Sequence, residues 1–152
     1  MEKLKLMLVD DEERFLFTTS KLLTRKGIDV VTTSSGQEAL ERLKKEVIHV
    51  VILDVKMPGI DGNAVLKKIK ENHPLVEVIM LTGHGSIESA VEGLKNGATD
   101  YLVKPTDIDE LAMKAQDAFE KRQKQEEKIR MARARMFMKS SGEIIRETET
   151  FQ

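Results

Sequence analysis

The chain has 152 residues, of which 40% are hydrophobic and 34% are charged, and its formal net charge is -1. These values predict one domain with a short appendage, and the charge gives no global sign of binding to nucleic acid or an anionic membrane. The absence of cysteine excludes disulfides, a thiol nucleophile and a cysteine-ligated metal. No signal peptide and no membrane-spanning stretch are visible, so we expect a cytoplasmic protein without membrane insertion.

Five short apolar runs, separated by amphipathic segments, predict five β-strands. The runs are Leu4–Val9, Ile28–Thr33, Val47–Leu53, Val76–Leu81 and Thr99–Val103. Near-continuous apolar strands are typical of a parallel sheet that is covered by helices on both faces.

After each run, apolar residues recur at helical spacing, which predicts five helices. The stripes are Phe15, Leu16, Thr19, Leu22 and Leu23; Ala39, Leu40 and Leu43; Val65, Leu66 and Ile69; Ile87, Ala90, Val91 and Leu94; and Ile108, Leu111, Ala112, Ala115 and Phe119. Gly27 ends the first helix, and Thr106 or Asp107 is placed to cap the fifth. This alternation predicts an α/β fold with a doubly wound, five-stranded parallel sheet of flavodoxin-like order 2-1-3-4-5.

Polar side chains follow the ends of four predicted strands. Asp10 and Asp11 follow the first strand, Asp54 the third, Thr82 the fourth and Lys104 the fifth. In a doubly wound sheet these ends meet at one edge, where ligands bind. Clustered carboxylates need a cation, and an oxygen-rich site suits Mg²⁺. A carboxylate can also be the nucleophile in phosphoryl transfer, with a Lys and a Thr balancing the charge of the product.

Taken singly, each of these residues has a plainer interpretation. The acidic pair could cap the first helix, the remaining Asp and the Thr could be solvated strand-end or turn residues, and the Lys could lie on the surface. Their joint placement at the ends of different strands makes that interpretation poor and favours a phosphoryl-transfer site.

Four separated motifs, in order and at the right spacing, resemble the receiver domain of two-component response regulators. The motifs are Leu8–Glu12, Leu53–Gly62, Leu81–Gly83 and Gly97–Pro105. The resemblance, to chemotaxis-type receivers with a flavodoxin-like fold, covers residues 4 to about 120. It implies a phosphorylation-dependent signalling switch whose phosphoryl donor is a phosphohistidine on a sensor histidine kinase or a phosphotransfer protein.

The resemblance also implies roles for the residues of the acceptor site. Asp54 would be the phosphoacceptor. Mg²⁺ would be held by Asp11, Asp54 and the backbone carbonyl of Lys56, and by Asp10 either directly or through water. Thr82 would contact the phosphoryl oxygens.

Further roles follow from the same resemblance at the later motifs. Lys104 would contact the phosphoryl oxygens beside a cis bond to Pro105, and Tyr101 would be the aromatic that moves inward on switching. Lys56 and His84 would flank the path of the hydrolytic water and so modulate the phosphoryl lifetime.

Two other classes of function fit parts of the sequence. A haloacid-dehalogenase-like phosphatase also uses a strand-end Asp with Mg²⁺, but it needs an acid two residues after the nucleophile, where this chain has Lys56. A DNA-binding regulator could use a basic tail, but no helix-turn-helix pattern follows residue 107. We therefore expect a phosphoacceptor that assists its own phosphorylation and dephosphorylation, and neither an enzyme for another substrate nor a protein that binds nucleic acid directly.

The segment after residue 107 favours one long helix. We expect a receiver domain over 1–120, a helical extension over 121–139 and a flexible tail over 140–152. From Lys121 to Lys139 there are eight Lys or Arg residues and two Glu residues. This extension is either a solvated helix or one that pairs with a partner helix. We expect output through a surface of helix 4, strand 5 and helix 5 that binds a downstream protein, with a homodimer possible through that surface or the C-terminal helix.

Overall fold

The computed structural model describes residues 2–83 and 87–150, except for the side chains of residues 141–150. The strands are β1 (Lys5–Val9), β2 (Asp29–Thr33), β3 (Val50–Asp54), β4 (Glu77–Thr82) and β5 (Asp100–Val103). The helices are α1 (Glu13–Arg25), α2 (Gly36–Lys45), α3 (Gly62–Asn72), α4 (Ile87–Lys95) and α5 (Ile108–Thr150).

The strands form one parallel sheet in the order β2-β1-β3-β4-β5, which confirms the predicted doubly wound topology. Alternate side chains of each strand point to opposite faces of the sheet. On β3, Val51 and Leu53 pack with α2, α3 and α4, whereas Val50 and Ile52 pack with α1 and α5. Both faces are thus buried, which explains why the strands are apolar runs without alternation.

Strand β3 begins later than the sequence predicts. Its residues are Val50–Asp54, because Val47 is 65% exposed and lies before the sheet. Asp54 is therefore the last residue of the strand, paired in register with Leu81 of β4. The sheet itself fixes the position of this carboxylate.

Helix α5 is longer than the predicted extension over 121–139, since it reaches Thr150. Asp107 caps its start by accepting the backbone N–H of Asp109 at 3.1 Å, as the sequence predicts for Thr106 or Asp107. Contacts between residues divide the whole chain into two units, Met1–Arg122 and Gln123–Gln152. The division at residue 120 and the flexible tail over 140–152 stay predictions.

The second unit carries large apolar side chains that are exposed, namely Met131, Met136, Phe137 and Met138. Within it, an Arg130 guanidinium nitrogen lies 2.6 Å from a carboxylate oxygen of Glu127. Among the helices that the structure describes, none has the length and apolar character needed to cross a membrane.

Candidate functional site

Three carboxylates meet beyond the carboxyl ends of β1 and β3. One oxygen from each of Asp10, Asp11 and Asp54 lies within 4.8 Å of the others. Asp10 and Asp54 are buried, whereas Asp11 is exposed. The two strands are neighbours in the sheet, so pairing in register places their ends side by side.

Lys104, which follows β5, reaches this cluster with its ammonium group. Its Nζ lies 2.6 Å from Oδ2 of Asp10 and 3.4 Å from a carboxylate oxygen of Glu12. The same Nζ lies 4.4 Å from the centre of the Phe15 ring. The Lys104–Pro105 peptide bond is cis, as the resemblance implies.

The buried carboxylate of Asp10 is engaged on both sides. Its Oδ1 accepts the backbone N–H of Glu12 at 2.9 Å, at the start of α1. Its Oδ2 lies 2.6 Å from the ammonium of Lys104, within hydrogen-bonding distance.

The pKa values of Asp54 and Lys104 are both raised, for different reasons. Burial raises the pKa of Asp54 to about 7, and the neighbouring charge of Asp10 adds to this effect. The charge of Lys104 and the backbone N–H of Lys56, 3.3 Å from Oδ1 of Asp54, act in the opposite direction. Burial lowers the pKa of Lys104, but the carboxylates of Asp10, Asp54 and Glu12 outweigh it, so this pKa is raised overall. Lys104 is therefore a permanent cation, whereas the metal-free Asp54 holds its proton up to near-neutral pH.

Thr82 and Tyr101 lie on the two strands nearest Lys104. Thr82 ends β4 and is fully buried; its hydroxyl donates to the carbonyl of Gly83 at 3.1 Å. Its backbone carbonyl accepts the N–H of Lys104 at 2.7 Å. This hydrogen bond connects the end of β4 to the residue that follows β5. Tyr101 is half-buried on β5 and packs against the apolar cluster beneath α2, α3 and α4 instead of among the carboxylates.

The two residues predicted to flank the hydrolytic water are placed unequally. The side chain of Lys56 is exposed, two positions beyond Asp54. Two roles of Lys56 stay predictions: its backbone carbonyl as a metal ligand, and its side chain beside the path of the hydrolytic water. His84 lies outside the described residues, so its role also stays a prediction.

Helix α3 begins in close contact with the end of β3. A Cβ at Gly62 would lie 2.6 Å from the carbonyl oxygen of Asp54 and 2.7 Å from that of Val55, so only glycine fits there. Pro58, Gly59 and Gly62 are residue types that predict a turn after Asp54. Gly59, with a φ of +89°, does take a turn conformation, but Gly62 is the first residue of α3.

Sequence reasoning missed two residues that contact Lys104. Phe15 was assigned only to the apolar stripe of α1, and Glu12 only to the acidic motif. Both lie within one helical turn of Asp11, at the sheet edge that Lys104 was predicted to share. Placement at the same sheet edge could therefore be predicted from the sequence, but the particular side chains in contact with Lys104 could not.

The donor set of the cluster suits a hard divalent cation. It offers only carboxylate oxygens, which Mg²⁺ prefers, and the exposed side at Asp11 leaves room for the water ligands that Mg²⁺ keeps. Oδ2 of Asp10 is buried, and among the described residues its polar partner is the Lys104 ammonium, so its remaining lone pair can accept a cation. The residues present therefore fit Mg²⁺.

Comparison with known sequences gives consistent matches over most of the chain. The sequence model of the response regulator receiver domain matches residues 6–116. The chain is 42% identical over 103 residues to the DNA-binding transcriptional regulator NtrC of Klebsiella pneumoniae, covering 68% of this chain and 22% of that protein. It is 40% identical over 110 residues to the transcriptional regulatory protein ZraR of Escherichia coli, covering 72% and 25%. The chain thus spans about a quarter of the length of these curated relatives.

Among solved structures, a response regulator receiver domain protein from Clostridium thermocellum matches with a TM-score of 0.76 and 36% identity. The match covers 79% of this chain and 97% of that one. A CheY-like receiver domain protein from Methanospirillum hungatei JF-1 matches with a TM-score of 0.77 and 27% identity, covering 82% and 99%.

Proposed function

The chain belongs to the response regulator receiver domain family, and from this we propose that it is a phosphorylation-dependent switch whose acceptor is Asp54. One observation carries the proposal. Carboxylate oxygens of Asp10, Asp11 and Asp54 meet within 4.8 Å, and the ammonium of Lys104 lies 2.6 Å from Asp10. A nucleophile, the ligands for a cation and a positive group for phosphoryl oxygens thus share one sheet edge.

In the proposed reaction, an oxygen of the Asp54 carboxylate forms a bond to phosphorus as the P–N bond of a phosphohistidine breaks. The imidazole nitrogen keeps the electron pair and takes a proton from solvent. Asp10, Asp11, Asp54 and the Lys56 carbonyl would hold Mg²⁺, which would neutralise charge on the phosphoryl oxygens. Lys104 stabilises those oxygens by its charge, and Thr82 by its hydroxyl.

We propose that the donor is a sensor histidine kinase or a phosphotransfer protein, and that the chain assists both formation and hydrolysis of its own acyl phosphate. Family membership supports this assignment. NtrC is a DNA-binding transcriptional regulator, and DNA binding is a property of that protein. Direct nucleic-acid binding is not part of the function proposed for this chain.

The proposed output is a changed protein-binding surface on α4, β5 and α5. The backbone hydrogen bond from the N–H of Lys104 to the carbonyl of Thr82 supports this proposal, because it connects the site to the end of β5. Helix α4 also exposes the apolar side chains of Ile87, Val91 and Leu94. A downstream protein or a second copy of the chain would bind this surface, and the C-terminal helix is the other proposed homodimer contact.

Phosphorylation by acetyl phosphate, followed by intact-mass spectrometry, tests the proposed function. We expect one phosphoryl adduct on the parent in Mg²⁺, none in EDTA, and none on Asp54→Asn, because the nucleophilic carboxylate is gone. Asp61→Asn is the matched control, since it removes an exposed carboxylate from the loop after β3 and should leave the adduct intact. A full adduct on Asp54→Asn, or none on the parent, would contradict the proposal.

A further inference from the structure

The aromatic ring of Phe15 contacts the ammonium group of Lys104. The Nζ atom lies 4.4 Å from the ring centre, within the range of a cation–π interaction. Phe15 is half-buried and packs against the apolar cluster that α1 and α5 form on the sheet. The core therefore holds the ring in place, and the ring cannot follow Lys104 when that side chain moves.

The three close neighbours of Lys104 act on it differently. Asp10 is a proposed cation ligand, so its ion pair with Lys104 weakens when the site is filled. Glu12, with a side chain that is 65% exposed, attracts the ammonium toward solvent. Phe15 attracts the ammonium from a fixed position. Unlike Asp10, it has no carboxylate for which a bound cation would compete.

We infer that Phe15 is a positioning residue of the acceptor site. Its ring face keeps the Lys104 ammonium beside the carboxylates after Asp10 turns to the cation, so that Lys104 reaches the phosphoryl group on Asp54 without first returning from solvent. This inference rests on the proposed function, because it assigns Phe15 a role in the same phosphoryl transfer.

Helix α1 contains a matched control for this contact. The Nζ of Lys21 also lies 4.4 Å from the centre of a phenylalanine ring, that of Phe17. Phe17 is 62% exposed, and its ring faces the ammonium of Lys21, whereas Lys104 lies over Phe15. Phe17→Leu therefore removes a similar interaction from the same helix without touching Lys104.

The experiment compares second-order rate constants for phosphorylation by acetyl phosphate in saturating Mg²⁺. Phe15→Leu should lower the rate constant about three- to fivefold, in line with a partly exposed cation–π contact. Pentafluorophenylalanine at position 15 should lower it similarly, because it keeps the ring but reverses the charge of its face. Phe15→Tyr, which keeps an electron-rich ring, and Phe17→Leu should stay within about twofold of the parent.

A second comparison asks whether Phe15 acts through Lys104. In a Lys104→Ala background, Phe15→Leu should cause no further loss, because the cation that the ring holds is absent. Circular dichroism checks that each variant folds. If Phe15→Leu fails to fold, the pentafluorinated protein gives the answer alone.

The outcomes separate the inference from the proposed function. A parent that accepts no phosphoryl group overturns both. A phosphorylated parent whose pentafluorinated form reacts at the parental rate, or in which Phe15→Leu costs as much with Lys104→Ala as without it, overturns the role of Phe15 alone.

Discussion

The Nζ atom of Lys104 lies 2.6 Å from the buried Oδ2 of Asp10, although β3 and β4 separate their strands in the sheet. The long lysine side chain thus spans the site and places a fixed positive charge on a proposed ligand of Mg²⁺. On the proposed function, Lys104 and the cation would compete for one carboxylate in the unphosphorylated protein. A phosphoryl group on Asp54 would give Lys104 a new partner and remove that competition.

Lys104→Ala should tighten Mg²⁺ binding about five- to tenfold, because it removes a cation beside the site, an effect on the order of 1 kcal/mol. The metal-free protein should become less stable, since the buried Asp10 loses its ion pair. Thermal unfolding over a series of Mg²⁺ concentrations measures both effects. Lys114→Ala is the control, because it breaks a 2.8 Å ion pair with Asp100 elsewhere on the sheet. Parental Mg²⁺ affinity in Lys104→Ala would rule out the competition.

Asp11→Ala should have the opposite effect on the cation. Asp11 is the exposed member of the carboxylate cluster, so its loss removes a proposed ligand without leaving a buried group unpaired. We expect much weaker Mg²⁺ binding and equal or higher stability in EDTA, because like-charge crowding is relieved. The same titration is the measurement, with Asp61→Ala as the control. If Asp11→Ala binds Mg²⁺ like the parent, Asp11 serves only the start of α1.

Asp54 should make the stability of the metal-free protein fall with rising pH. Its pKa is raised from 3.8 to about 7 in the folded state, chiefly by burial. Between these values the folded protein retains a proton that the unfolded chain has released, so stability decreases as pH rises toward 7. Asp54→Asn lacks this penalty. Its stability advantage over the parent in EDTA should therefore be larger at about pH 8 than at about pH 5, by roughly 2 kcal/mol.

Urea unfolding at the two pH values checks this prediction, with Asp61→Asn as a variant that should track the parent. An advantage of Asp54→Asn that does not change with pH would show that the carboxylate is not held protonated by the fold.

The sequence was sufficient for the sheet order and the strand-end residues, because parallel topology places carboxyl ends together whatever the loops do. It could not place Phe15 against Lys104, since helical spacing identifies an apolar face but not the side chains that cross its edge. Val47 shows a related limit: apolar character extends past the sheet, so the start of β3 was predicted too early.

Helix α5 and Gly62 show where local signals mislead. Gly142 is a poor helix former, yet the helix runs past it to Thr150. Gly62 follows a turn-like segment, and its use as the first residue of α3 depends on close contact with the backbone of Asp54 and Val55, which spacing cannot reveal.

Lys56→Ala and His84→Ala should each shorten the lifetime of the phosphoryl group, and the double variant should shorten it further. The prediction follows from the resemblance, in which these positions flank the in-line path of the hydrolytic water. Lys56 has an exposed side chain two residues after Asp54, free to lie over the phosphoryl group and exclude water. Loss of the phosphorylated mass after donor removal gives the lifetime. A longer lifetime in His84→Ala would mean that His84 assists the water.

Gly62→Ala should destabilise the protein, although alanine favours helix over glycine by roughly 1 kcal/mol. The added Cβ would lie 2.6 Å from the carbonyl oxygen of Asp54 and 2.8 Å from Cα of Val55. Both are backbone atoms, so no side-chain rotation relieves the overlap, and α3 or the end of β3 must shift. We expect a loss of about 1–3 kcal/mol in the free energy of unfolding. Phosphorylation should also slow, because the acceptor carboxylate moves with its strand. Gly83→Ala is the control for stability, since a Cβ there meets no atom of the described residues within 4 Å and its φ is not positive. A Gly62→Ala protein as stable as the parent would show that helix propensity outweighs the contact and that α3 does not need to approach the acceptor strand so closely.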